Sequence, residues 1–157
     1  MDPMLKSRPT LAALTVGLAA VVGTLVTAPT ATAATATSLC GSGYRYVGQH
    51  AMKRESGTGG PSIGGYVYVY YSAKSQHNCA IAKPVAALKG KAWGLGVGLH
   101  SPKYKRGHSD GYEHWQNYTK WAGPVYVKAP HACITLVGDM SAGRAHYSVT
   151  KERVHCG

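Results

Sequence analysis

The stretch Tyr66-Val67-Tyr68-Val69-Tyr70-Tyr71 consists entirely of β-branched and aromatic residues. Residues of these types are enriched in strands, where side chains alternate between the two faces. The alternation places three tyrosines on one face of the predicted strand: Tyr66, Tyr68 and Tyr70. The polar turn 74–77 and a second predicted strand at 78–83 follow, so the segment predicts a β-hairpin.

Outward from this hairpin, glycine and proline recur at short intervals and no long run of apolar residues has helical spacing. We predict further short strands at 44–52, 92–99, 112–121, 123–128, 133–137 and 145–149, with a last short piece at 153–156. The glycine-rich residues 55–65 and the basic residues 101–110 are predicted loops, and 85–91 is weakly helical or irregular. The fold class is therefore all-β, a small sandwich or barrel of about eight short strands.

One predicted strand, 92–99, alternates glycine with large apolar residues: Gly94, Gly96 and Gly98 share one face. Glycine inside a strand commonly marks a bend, a bulge or the close approach of another chain or a ligand. One face of this predicted strand is therefore bare backbone.

The N-terminal 33 residues have the three zones of a signal peptide. Lys6 and Arg8 make the start basic, residues 11–26 are uncharged and mostly apolar, and small-residue cleavage sites follow Pro29. We predict cleavage near Ala33 or Ala36, which leaves 34–157 as a single secreted β domain. An uncleaved membrane anchor is the alternative, but the apolar stretch is short for a span and is interrupted by threonine and glycine.

All four cysteines lie in the predicted secreted domain, and an even number in an exported chain favours two disulfides. Of the three possible connectivities we favour Cys40–Cys79 with Cys133–Cys156, because each joins strands near in sequence; the others remain open. No C-x-x-C pair is present, so the spacing gives little support to a zinc or thioredoxin-like site.

The charge is strongly positive: 17 Lys and Arg against six Asp and Glu give a formal net charge of +11. Loss of the signal peptide removes Lys6, Arg8 and Asp2, so it lowers this charge by only one. We expect attraction to anionic cell-wall or spore-surface polymers, no dedicated nucleic-acid site, and no stable membrane span after cleavage. The basic loop residues Lys103, Lys105 and Arg106 are candidates for such binding.

Aromatic side chains offer a second kind of binding surface. The tyrosine face of the central strand, with Tyr126 beside it, would suit a sugar ring or another flat group. The alternative is that the cross-strand tyrosines simply stabilise a half-exposed sheet, and this structural interpretation is favoured.

A metal site is the weaker hypothesis. Its candidates are His100, His108, Asp110 and His114, which are of ligand type but follow no recognised spacing. Basic neighbours on the same loop would oppose cation binding, so we expect no metal and no cofactor.

Catalysis is not expected either. The secreted part has few carboxylates for an acid–base pair, no G-x-S-x-G nucleophile elbow, and no thiol left over if the cysteines pair. A small secreted hydrolase and an inhibitor remain less favoured alternatives.

Several short motifs carry a resemblance to a known family: Cys40-Gly41, Gly64-Gly65-Tyr66-Val67-Tyr68, Tyr70-Tyr71-Ser72, Asn78-Cys79-Ala80, Ala122-Gly123-Pro124-Val125-Tyr126-Val127, Cys133 and His155-Cys156-Gly157. On these the chain resembles the spore-associated protein A family of small secreted actinobacterial proteins. The resemblance implies an extracellular, spore-surface location and brings no catalytic residues. The expected function is a structural or adhesive surface protein held to anionic envelope material, with a carbohydrate- or cell-wall-binding module as the alternative.

Overall fold

The computed structural model describes residues 39–111 and 118–157, and the predicted signal peptide lies outside these ranges. Eight strands and one short 3-10 helix (Ala86–Leu88) form the described part. The strands are β1 (Arg45–Ser56), β2 (Ile63–Ser72), β3 (His77–Pro84), β4 (Ala92–Ser101), β5 (Arg106–Asp110), β6 (Ala122–Lys128), β7 (Ile134–Ala142) and β8 (Ala145–Val154). None of the described helical residues forms a helix long and apolar enough to cross a membrane.

The strands form one antiparallel sheet in the order β5-β4-β7-β8-β1-β2-β3-β6. The two edge strands of this sheet come together, since the Gly123 amide of β6 donates a 2.7 Å hydrogen bond to the Asp110 carboxylate of β5. The sheet is therefore a nearly closed, flattened barrel, and the all-β prediction is confirmed. The predicted hairpin is confirmed as β2 and β3, with Tyr70 opposite Cys79.

The main core fills the inside of the sheet. Val67 and Val69 of β2 pack there with Leu95, Val97 and Leu99 of β4, all at most 2% exposed. The inner faces approach closely: a Cβ on Gly138 of β7 would overlap the Val67 side chain. Larger residues at that position would push the two layers apart, because protein interiors have few voids to absorb them.

A second, smaller core lies on the opposite face of β2 and β3. The Cys40–Cys79 disulfide holds the segment before β1 against this face, and Tyr68, Tyr70 and Ile81 are buried beneath it. The other disulfide joins Cys133 to Cys156. Both favoured cysteine pairs are confirmed, and the first has the additional effect of covering a sheet face that would otherwise be open.

The prediction of a loop at 101–110 is wrong for most of these residues. β4 continues to Ser101, the chain turns at 102–105, and β5 pairs back along β4 with Leu99 opposite His108. Polar composition suggested a loop, but β5 is an edge strand whose first four residues are exposed, so its composition lacks the apolar alternation of a buried strand.

The prediction of a strand at 112–121 is wrong for residues 118–121. Residues 112–117 lie outside the described ranges, and 118–121 are not in a strand. Aromatic residues are common in strands, which favoured the prediction. Tyr118 instead lies outside the sheet, and its hydroxyl donates a hydrogen bond to Asp110.

The two pieces predicted at 145–149 and 153–156 are largely one strand, β8, which ends at Val154. Pairing with β7 continues from Ala145 to Val154, with one register shift near Leu136. The exposed residues 150–152 were predicted as a gap between two strands because of their polar composition. Backbone pairing with β7 nevertheless continues across them.

The glycine-rich part of β4 contains a bulge. Trp93 lies opposite Ser141 and Gly96 opposite Asp139, with a register shift between the two pairs. Gly94 in this bulge has φ +59°, a conformation that favours glycine. The bulge predicted as one outcome of this glycine pattern is therefore present.

Candidate functional site

Basic side chains dominate the outer surface. The described ranges contain fifteen Lys and Arg residues, and all of them except Lys83 are exposed. Lys83 is half-buried, and burial together with the charge of Lys89 lowers its pKa. The carboxylates are fewer, and two of the four in the described ranges, Asp110 and Asp139, are half-buried.

The candidate residues Lys103, Lys105 and Arg106 lie together at the β4–β5 turn, and all three are exposed. Tyr104 fixes this turn to the rest of the molecule, because its hydroxyl donates a 2.9 Å hydrogen bond to the Pro130 carbonyl. The Lys103 ammonium lies 5.4 Å from the centre of the Tyr104 ring. The basic turn is thus anchored beside the segment that follows β6.

A groove of about 460 Å³ runs between the edge strands β5 and β6; we call it the seam groove. β5 contributes residues 106 and 108–110, β6 contributes residues 124–128, and His77 of β3 completes it. The four basic side chains of its lining are His77, Arg106, His108 and Lys128.

Asp110 closes one end of the seam groove, because its carboxylate joins β5 to β6 there. One carboxylate oxygen accepts the Gly123 amide hydrogen bond at 2.7 Å and the other accepts the Tyr118 hydroxyl at 3.1 Å. Burial, followed by the hydrogen bond and charge of Asp110, raises the pKa of the Tyr118 hydroxyl.

The basic residues cluster at the other end. All neighbours in the eight-stranded order are antiparallel, so β5 and β6 run in opposite directions. Asp110 at the end of β5 meets Gly123 near the start of β6, which places Arg106 towards Lys128. Lys128 is paired with His77 of the neighbouring strand, so these side chains lie at one mouth.

The candidate tyrosines 66, 68, 70 and 126, which we call the tyrosine row, are mostly buried. Tyr68 and Tyr70 are 5% and 0% exposed, whereas Tyr66 and Tyr126 are half-buried. Burial, followed by the neighbouring tyrosines, raises the pKa of Tyr68 to about 12. Tyr126 donates a 3.3 Å hydrogen bond to the Cys40 carbonyl, which ties it to the covering segment. Tyr68 and Tyr70 therefore lie under the segment before β1 rather than on an open sheet face.

The metal candidates that lie in the described ranges are not brought together. His100 lies opposite Gly107 and His108 opposite Leu99, so the two imidazoles point to opposite faces of the hairpin. Asp110 is engaged by Gly123 and Tyr118, and His114 lies outside the described residues. Within the described part of the chain no three His, Cys, Asp or Glu side chains form a group that could hold a metal ion.

A histidine pair that the sequence did not suggest lies near the C-terminus. The Nε2 atoms of His50 and His155 are 3.0 Å apart, and the rings meet edge to face. Gly48 makes room for them, since a Cβ there would lie 2.8 Å from the His155 ring. Burial lowers the pKa of both imidazoles; Lys151 adds to the effect on His50, and His50 adds to that on His155.

Sequence reasoning also missed His77 and Lys128 as members of the seam groove. His77 stands at a predicted turn and Lys128 ends a predicted strand, so neither carried a binding pattern. The sequence places both residues at strand ends. Which strand ends meet depends on the register of β3 with β6, and the sequence does not give that register.

These features define a class: a small basic all-β protein with two disulfides and an almost closed sheet. The chain is 30% identical over 131 residues to spore-associated protein A of Streptomyces coelicolor (strain ATCC BAA-471 / A3(2) / M145), and the match covers 76% of this chain and 74% of that protein. The chain belongs to the spore-associated protein A family. No protein-family model matches it, and no solved structure matches it.

Proposed function

We propose that this protein is a secreted, non-enzymatic surface protein, of structural or adhesive type, held on spores or cells by anionic envelope polymers. The observation that carries the proposal is the exposure of all but one of the fifteen Lys and Arg side chains in the described ranges. A surface with so few opposing carboxylates attracts polyanions through its overall field.

Two further observations support the location. The related Streptomyces protein is named for association with spores. Both cysteine pairs form disulfides, which persist in oxidising extracellular surroundings. A glycan-binding role through the tyrosine row is not proposed, because Tyr68 and Tyr70 are covered.

The test is a graded salt wash of intact spores and vegetative cells. Electrostatic attachment weakens as salt rises, since the screening length falls from about 10 Å at 0.1 M to about 3 Å at 1 M. We expect stepwise release of the protein into the wash, complete near molar salt. A wash with sucrose of equal osmolarity serves as the control and should release none.

Full retention at molar salt would overturn electrostatic attachment. Release by sucrose as readily as by salt would overturn it as well, because sucrose does not screen charge.

A further inference from the structure

We propose that the seam groove is a phosphate-binding site, which takes a phosphodiester group of a linear envelope polymer. The inference rests on the proposed function and deepens it, because it assigns attachment to one groove rather than to the charge of the whole surface.

The first argument is the local charge. Arg106 and Lys128 stand on the two strands that border the groove, with His77 and His108 beside them. Among the described residues that line the groove, Asp110 is the sole carboxylate. At about 3.3 Å per residue, its backbone lies roughly 13 Å along β5 from that of Arg106.

The second argument is that Asp110 is already engaged. Its two oxygens accept hydrogen bonds from the Gly123 amide and the Tyr118 hydroxyl. Its negative charge is thereby held at the closed end of the groove. An anion at the open mouth meets the basic side chains. The Asp110 hydrogen bonds, which we call the clasp, hold the groove together at its closed end.

The third argument is the backbone of the two walls. β5 and β6 are the edge strands of the sheet, and each has a paired neighbour on one side only. Edge strands present N–H groups that need partners, and phosphate oxygens accept hydrogen bonds from backbone amides as well as from basic side chains. The Gly123–Asp110 contact shows a β6 amide already satisfied by an anionic oxygen in this way.

A phosphodiester lies in the backbone of a linear polymer, and its two non-bridging oxygens, which share the charge, point to either side of that backbone. One oxygen can therefore face each wall of the groove, whereas a side-chain carboxylate hangs from its polymer and presents both oxygens in one direction. The guanidinium of Arg106 can bind phosphate through two parallel hydrogen bonds, and the Lys128 ammonium adds a point charge from the other wall. A groove of about 460 Å³ has room for the phosphate and part of the chain on either side.

The experiment compares two double variants of the secreted chain that each lose two positive charges. The seam variant is Arg106→Gln with Lys128→Gln; the control is Lys89→Gln with Lys91→Gln, two exposed lysines that do not line the groove. Binding of long-chain inorganic polyphosphate is measured by calorimetry at near-physiological salt, and circular dichroism checks that both variants are folded.

We expect the seam variant to bind polyphosphate at least about tenfold more weakly than the native chain, because it loses charge-assisted hydrogen bonds as well as charge. The control should lose no more than about threefold, the general effect of reduced charge. Equal weakening of both variants would overturn the phosphate site and leave the proposed function standing.

A parallel titration with polyglutamate tests the ligand chemistry. We expect this carboxylate polymer to bind more weakly than polyphosphate and to distinguish little between the two variants. An equally large loss of polyglutamate binding in the seam variant would overturn the assignment to phosphate. Failure of the native chain to bind either polymer even at low salt would overturn the proposed function together with the site.

Discussion

At the scale of single residues, the meeting of His50 and His155 has the clearest consequence for behaviour in solution. The two imidazoles share one short contact, in which one ring nitrogen must donate a proton and the other must accept it. One added proton creates a single positive charge in the pair, close to that of Lys151. A second proton would remove the last accepting nitrogen of the contact and place two positive rings side by side. The folded state therefore resists protonation of the pair.

This arrangement predicts a loss of stability in acid. The pKa values of both imidazoles are lowered in the folded protein, so the unfolded chain binds more protons as pH falls below the ordinary histidine value of about 6.5. The free energy of unfolding should be highest above that pH and should decrease towards pH 5. The His50→Gln variant should show a smaller decrease in urea titrations across this range.

The matched control is His100→Gln, which removes an exposed histidine that lies outside the pair. It should retain the native pH dependence. An unchanged slope in His50→Gln would show that the pair does not contribute.

At the scale of elements, β5 is held to β4 by backbone pairing and to β6 by a side-chain hydrogen bond. Its five residues pair with β4 on one side, and Asp110 makes the described side-chain contact to β6 on the other. This explains how a short, polar strand belongs to a barrel whose core is apolar.

The Asp110→Ala variant should therefore open the seam. We expect its free energy of unfolding to fall by about 1–3 kcal/mol, because the Gly123 amide and the Tyr118 hydroxyl both lose their acceptor. Amide hydrogen exchange at Gly123 should accelerate. Asp110→Asn retains one carbonyl acceptor and should show an intermediate effect, whereas native exchange rates in Asp110→Ala would contradict the role of the clasp.

At the scale of the whole molecule, the two disulfides have unequal structural roles. Cys133–Cys156 ties the chain beyond β8 to the start of β7. Cys40–Cys79 holds a covering segment over the outer face of the sheet and so creates the second core. Removal of one bridge should therefore expose side chains that removal of the other leaves buried.

Replacement of Cys40 and Cys79 by alanine should lower the free energy of unfolding by about 2–5 kcal/mol and should also uncover the tyrosine row. Nitration by tetranitromethane, mapped by mass spectrometry, should then modify Tyr68 and Tyr70, which are 5% and 0% exposed in the native protein. The matched variant, with Cys133 and Cys156 replaced, should lose comparable stability while the row stays protected. Equal nitration in both variants would contradict the covering role.

The sequence by itself determined the strand class and the central hairpin, because the alternation in 66–71 is a local property. It favoured one cysteine pairing but left the two others open, and the structure decided between them. Only the tertiary structure decided which face of that strand packs in the main core and which lies under the segment before β1, because both faces are apolar or aromatic and alternation cannot choose between them. The seam groove likewise required the structure: Arg106 and Lys128 are separated in sequence, and only the sheet order places their strands side by side. The physical reason is that strand formation depends on neighbours in sequence, whereas the meeting of two sheet edges depends on every register between them.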